Sequence, residues 1–108
     1  MTPQLRIQSL NDMLRTTFIG GRVVTTEGLR AQGEEFVEQA FSAVRNFTEF
    51  SEENDPHGEH DFGAFDIGET TVFWKIDYYD RDMEGGSDNP ADPAVTCRVL
   101  TIFLASEY

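Results

Sequence analysis

Cations, cysteines and long apolar runs are all scarce in this chain. Eight Lys and Arg stand against twenty Asp and Glu, a formal charge of −12 over 108 residues. That balance makes nucleic acid and anionic membranes poor direct partners. A basic protein surface is a better one. It also predicts self-repulsion that weakens the fold at low ionic strength. The single cysteine, Cys97, excludes an intrachain disulfide; its expected place is inside a strand, packed as a small apolar residue. No apolar run approaches the roughly 18 residues of a membrane span. The opening MTPQLRIQSLND lacks the charged-then-apolar layout of a signal peptide. A soluble, cytoplasmic protein is the expectation. No internal repeat or low-complexity tract is present. Nothing matches a nucleophile elbow, a P-loop, a dinucleotide fingerprint or an HExxH pair.

What is present is aromatic. Nine Phe, three Tyr and one Trp supply much of the apolar 39%, and each ring buries roughly 150–250 Å² in a core. A chain of this length holds one such core, so residues 1–108 are expected to form a single domain.

Thr2-Pro3 reads as a helix start, with Thr as cap and Pro in the first turn. Ile7, Leu10, Leu14 and Phe18 follow at helical spacing with Met13 beside them, and Gly20-Gly21 is the expected stop. Arg22–Thr26 is β-branched and predicts an edge strand. Gly28 and Gly33 bracket an expected turn. A second helix is expected over Glu34–Phe47, with Phe36, Val37, Ala40, Phe41, Val44 and Phe47 as its apolar stripe. Glu34 and Glu35 in its first turn and Arg45 in its last suit the helix dipole.

Residues 62–67 and 70–79 predict a hairpin around Gly68-Glu69. Ile67 then pairs with Thr70, Phe65 with Val72, and Gly63 with Trp74. Period two puts Phe65, Ile67, Val72, Trp74 and Ile76 on one face. A connector, Asp80–Ala94, leads to Val95–Leu104. That last run is apolar on both sides and belongs in the middle of the sheet. The order predicts an α+β domain, two helices packed on a mostly antiparallel three- to four-stranded sheet.

Four stretches now in hand resemble a known family: Asn54-Asp-Pro-His-Gly-Glu-His-Asp-Phe-Gly63, Val72-Phe-Trp-Lys-Ile-Asp-Tyr-Tyr-Asp80, Ala91-Asp-Pro-Ala-Val95 and Arg98-Val-Leu-Thr-Ile102. It is the alphaproteobacterial family called domain of unknown function 3768. Leu10-Asn-Asp12 and Gly20-Gly-Arg-Val-Val24 fit it too, so the similarity covers nearly the whole chain. The resemblance implies a small, stand-alone bacterial protein. It brings no catalytic or binding residue with it.

Chemistry concentrates between Glu49 and Asp61, which hold both histidines, and just beyond. Asp55, His57, Glu59, His60 and Asp61 offer imidazole and carboxylate ligands suited to zinc, manganese or iron. Drawn as an extended chain, Asp55, His57, Glu59 and Asp61 point one way, and His57, His60 and Asp61 are the candidate metal ligands. Pro56 and Gly58 interrupt such a strand. The plainer reading is a turn begun at Asn54-Asp55-Pro56, with His60 or Asp61 bonding backbone groups at the start of the hairpin. Asp80, Asp82, Glu84 and Gly85 fill positions one, three, five and six of an EF-hand loop, but position twelve is Ala91. On the polar side of the hairpin, Lys75, Asp77 and Tyr79 with Arg98 form either a proton-transfer group or a solvated face with a Lys75–Asp77 ion pair. Tyr78, Tyr79 and Phe73 are the residues a homodimer contact through the sheet would use.

Residues 27–69 hold twelve acids and two Arg, a sum of −10, and the remaining residues share −2. The leading expectation is therefore an acidic binding module acting through a partner protein, in one form a nucleic-acid-like inhibitor of a basic groove. Its binding residues would be Glu49, Glu52, Glu53, Asp55, His57, Glu59, His60 and Asp61, with Lys75, Asp77 and Tyr79. No cofactor is expected on that reading. The alternative is a metal-dependent, hydrolase-type enzyme that uses the Asp55–Asp61 loop and a divalent metal.

Overall fold

The computed structural model describes all of residues 1–108. It is an α+β fold. Its elements are α1 (Pro3–Thr17), β1 (Arg22–Thr25), α2 (Glu27–Arg30), α3 (Glu34–Arg45), β2 (Phe62–Ile67), β3 (Thr70–Tyr79) and β4 (Cys97–Leu104), closed by a 3₁₀ turn at Ala105–Glu107. No helix is long and apolar enough to cross a membrane.

α1 starts as its sequence predicts. Thr2 Oγ1 accepts the Leu5 N–H at 3.1 Å, with Pro3 in the first turn. The end differs. Phe18, not the glycine pair, turns the chain, with φ 61 and its N–H bonded to Leu14 O at 2.8 Å. Packing holds the bulky residue in that left-handed position: its ring lies edge-on to Phe41, centroids 5.4 Å apart, under the Arg45 guanidinium. Met13, beside the apolar stripe, is exposed.

The turn expected between Gly28 and Gly33 is instead a one-turn helix, α2. Thr26 caps it through the Leu29 N–H at 3.3 Å, and Leu29 is fully buried. Burial of that leucine outweighs the poor helix propensity of Gly28. α3 ends at Arg45, two residues before the expected stop, and β4 begins at Cys97 instead of Val95. The domain thus has three α-helices where two were expected.

The four strands lie in the order β1-β4-β3-β2. β4 is internal, as its two apolar sides require, and β1 is an edge strand parallel to it. The other pairings are antiparallel. The β2–β3 hairpin has the expected register, with Ile67 opposite Thr70, Phe65 opposite Val72 and Gly63 opposite Trp74. Gly68 alone takes a positive φ in the turn, 61°, the pattern of a type II′ hairpin. Gly63 is where the indole lies: a Cβ there would sit 2.3 Å from Trp74 Nε1 and 2.9 Å from the Phe47 ring. Trp74, Val72, Ile76, Leu100, Ile102 and Leu104 face Leu14 of α1, Leu29 of α2, and Ala40 and Val44 of α3 in one buried cluster. All three helices therefore cover the same side of the sheet.

Candidate functional site

The segment between α3 and β2, residues 46–61, is bolted to α1 by polar groups that α1 buries. The last carbonyls of any helix lack intrahelical partners. Here Arg15 supplies them: its Nη1 donates to Val44 O at 3.0 Å, Phe47 O at 2.8 Å and Arg45 O at 3.5 Å. The guanidinium is almost fully buried, 5.3 Å from the Phe50 ring centroid and 5.6 Å from Trp74. Its Nη2 donates to Asp12 Oδ1 at 3.1 Å. Arg15 Nε and Trp74 Nε1 are buried without a hydrogen-bond partner.

Asp12 Oδ1 also meets His60 Nδ1 at 2.9 Å. A carboxylate only accepts, so that nitrogen carries the proton. The imidazole stacks on Phe50 with centroids 3.8 Å apart and planes 5° from parallel, and its Nε2 lies 3.7 Å from Asp55 Oδ2. Asp55 is itself buried, and its Oδ1 accepts the N–H groups of Glu59 and His60, both at 3.1 Å. The chain turns around that carboxylate with Gly58 at φ 65 and His60 at φ 56. Asp55, His57, Glu59 and Asp61 consequently do not line one side of an extended strand, and the segment takes the turn that Asn54-Asp55-Pro56 predicts.

Deeper in, Asn11 is fully buried and joins three elements. Its Nδ2 donates to Glu59 O at 3.0 Å and Tyr78 Oη at 2.8 Å, and its Oδ1 accepts from Arg98 Nε at 2.7 Å. The Tyr78 hydroxyl donates to Glu59 Oε1 at 2.8 Å. Burial, reinforced by the neighbouring Glu59, pushes the Tyr78 phenol above its usual range, so it stays a proton donor. Burial pulls Arg98 below the usual guanidinium range, while Tyr78 and Glu59 oppose the fall. The same guanidinium donates to Pro90 O and lies 5.2 Å from the Tyr78 ring centroid. Asp61 is held above the ordinary carboxylate range, first by burial and then by the charge of Glu59.

These contacts redistribute the expected site. Arg98 pairs with Tyr78 across the β3–β4 ladder and both face the helices. Arg98 is thus not grouped with Lys75, Asp77 and Tyr79, and Tyr78 is no part of the outer sheet surface. Lys75 and Asp77 do pair there, Nζ to Oδ2 at 3.2 Å. His57 is exposed and engages only through its carbonyl, which accepts from Gln4 Nε2. Glu49, Glu52 and Glu53 are exposed, and their carboxylates make no ion pair or hydrogen bond. No group of three or more His, Cys, Asp and Glu is placed to hold a metal ion, so His57, His60 and Asp61 are not assembled as ligands. The left-handed residues at 58 and 60 send successive side chains to different sides. At the EF-hand-like stretch, Asp80 Oδ1 accepts the Glu84 N–H at 3.1 Å in an ordinary turn.

The residues missed in the sequence are Asn11, Asp12 and Arg15. A signal for two of them exists: Asn11 and Arg15 fall on the same helical stripe as Ile7 and Leu14, at i, i+4, i+7 and i+8. A polar side chain inside an apolar stripe demands a buried partner.

The sequence model of a family described as Protein of unknown function (DUF3768) matches residues 25–107, from the end of β1 to the closing 3₁₀ turn. No curated protein and no solved structure matches the chain. The matched segment takes in α2, α3, both connectors and strands β2 to β4, while Asn11, Asp12 and Arg15 lie ahead of it. With most of its length so matched, the chain belongs to the DUF3768 family.

Proposed function

We propose that this protein is an acidic recognition module that seats its α3 and 46–61 surface against a basic region of a partner protein. The observation that carries the reading is a contrast within one segment. Glu34, Glu35 and Glu38 on α3 and Glu49, Glu52 and Glu53 after it are exposed and free of ion pairs. Asp55, Glu59 and His60, a few residues on, are spent on holding the backbone in place. Charges on a fixed frame lose less freedom on binding than charges on a loose one. Opposite potentials then steer the encounter and make it sensitive to salt. A row of carboxylates of this kind is suited to a groove that otherwise takes phosphates, which is the inhibitory form of the reading.

The test is affinity capture from bacterial lysate with washes of rising salt. Wild type is expected to retain a basic protein at low salt and release it as salt rises. The triple variant Glu49→Lys, Glu52→Lys, Glu53→Lys should lose it, and a control with Asp80, Asp82 and Glu84 changed to Lys should keep it. Equal capture by both variants, or no partner at low salt, contradicts the reading.

A further inference from the structure

Because α1, α2 and α3 all cover one side of the sheet, the other side has no layer of its own. Residues opposite each other in a ladder share a face. The pairings therefore put Phe73 beside Phe103, Lys75 beside Thr101 and Asp77 beside Val99 on this second face. The closing turn covers one end of it, with the Tyr108 ring centroid 5.8 Å from Phe73 and 6.1 Å from Phe103. Next to that ring an open cleft of about 380 Å³ runs between Lys75, Thr101 and Phe103. Glu107 at its margin is tied down, accepting the Thr26 hydroxyl at 2.7 Å and the Leu104 N–H at 2.8 Å.

The charge on this face sets it apart. Its charged strand residues are Arg22, Asp66, Lys75 and Asp77, which sum to zero in a chain of −12. Two copies approaching through α3 or the 46–61 segment bring like charges together. Through this face they do not. We propose that the outer sheet face is the surface through which two copies of this chain form a two-fold dimer. Such a contact uses the same patch on both copies, so Lys75 of one meets the partner's Asp77, and the reverse.

The size of the face limits the strength. Its strands hold four, six, ten and eight residues, which at roughly 3.3 Å per residue and 4.8 Å between strands give about 440 Å² per copy. Two copies together fall just short of the roughly 1,000 Å² of a stable specific contact, so the dimer is weak and concentration-dependent. Its geometry leaves both helical layers facing outwards, and the two acidic surfaces stay available on opposite sides.

Sedimentation velocity on the full chain tests this, at about 0.3 M salt to screen net repulsion. The mass is expected to rise from 12.2 kDa towards twice that value as concentration increases. Lys75→Asp sets carboxylates against carboxylates and should hold the protein monomeric. Adding Asp77→Lys to it restores opposite charges and should restore the dimer, with the melting temperature of both variants close to that of wild type so that the loss is one of association and not of folding. Thr101→Arg, which sets a bulky side chain beside Lys75 at the centre of the face, should also abolish it. A monomer at every concentration overturns the proposal, as it would if a different partner covers the face. So does a dimer that survives Lys75→Asp or Thr101→Arg, or a charge-swapped variant that stays monomeric.

Discussion

Residues 46–61 and residues 80–96 are both acidic, turn-rich connectors, yet they are held in different ways. The first is tied to α1 over long stretches of chain. Arg15 reaches Phe47 O at 2.8 Å, Gln8 reaches Gly58 O at 2.9 Å, Asn11 reaches Glu59 O at 3.0 Å and Asp12 meets His60 at 2.9 Å. The second is held mostly by its own neighbours. Glu84 N–H bonds Asp80 Oδ1 at 3.1 Å, Asn89 N–H bonds Ser87 Oγ at 3.1 Å and Ala94 N–H bonds Asp92 Oδ1 at 2.9 Å. From outside it is tied to the end of β3, where the Ser87 N–H bonds Tyr78 O at 3.0 Å, and to Arg98, which donates to Pro90 O and rests on Asn11. Similar composition thus gives a fixed surface in one place and a locally folded loop in the other. The difference lies in α1, whose buried polar residues act on distant backbone.

Removing those residues breaks the comparison in graded steps. Arg15→Ala has the largest expected effect. It strips the donor from two carbonyls at the end of α3 and one just after it, and a buried cation from beneath Phe50, with a loss of about 3–5 kcal/mol in denaturant unfolding. Asn11→Ala comes next, since it leaves Arg98 Nε, Glu59 O and Tyr78 Oη each short of a partner. About 2–3 kcal/mol is expected, and it should loosen both connectors together. His60→Asn keeps a residue that tolerates φ 56 but removes the ring stacked on Phe50. It should cost about 1 kcal/mol, confined to the first connector. Asp80→Ala, in the second connector, should stay within about 0.5 kcal/mol. A loss for Asp80→Ala as large as that for His60→Asn would erase the distinction.

Asp61 gives the comparison a pH dependence. Burial and Glu59 hold its carboxyl above the ordinary value of 3.8. The folded protein then keeps a proton that the unfolded chain releases, so this group's contribution to stability falls as pH rises from 3.8 through the raised folded value. Asp61→Asn is expected to melt higher than wild type at neutral pH, with the gain gone by pH 3. An unchanged melting temperature at neutral pH would mean the carboxylate is already fully solvated or paired.

The parts of the fold legible in the sequence are those that local pattern decides. The stripe of α3, the Gly68 turn and the Gly63–Trp74 pairing follow from spacing 3.6, a positive φ and the absence of a Cβ. The central place of β4 follows from its two apolar sides. The parallel placement of β1 against β4 is not written in either strand, because it joins residues more than seventy positions apart. α2 was hidden by Gly28, and Phe18 by an aromatic contact with α3. The site was half legible. Density of charge and imidazole between Glu49 and Asp61 marked the right segment. The partition between outward Glu49, Glu52 and Glu53 and inward Asp55, Glu59 and His60 depends on Asn11, Asp12 and Arg15. Arg98 groups with Lys75, Asp77 and Tyr79 by sequence, whereas its register with Tyr78 puts it under the helices.

The central claim is that the first connector is a rigid frame and the second is not. The two share one kind of bond, a backbone N–H to an aspartate Oδ1 at 3.1 Å: Glu59 and His60 to Asp55 in the first, Glu84 to Asp80 in the second. Amide hydrogen exchange on the free protein compares them directly. The Glu59 and His60 amides are expected to be protected at least about a hundredfold more than the Glu84 amide, since they open only when the α1 network does. Equal exchange at the three amides would contradict it.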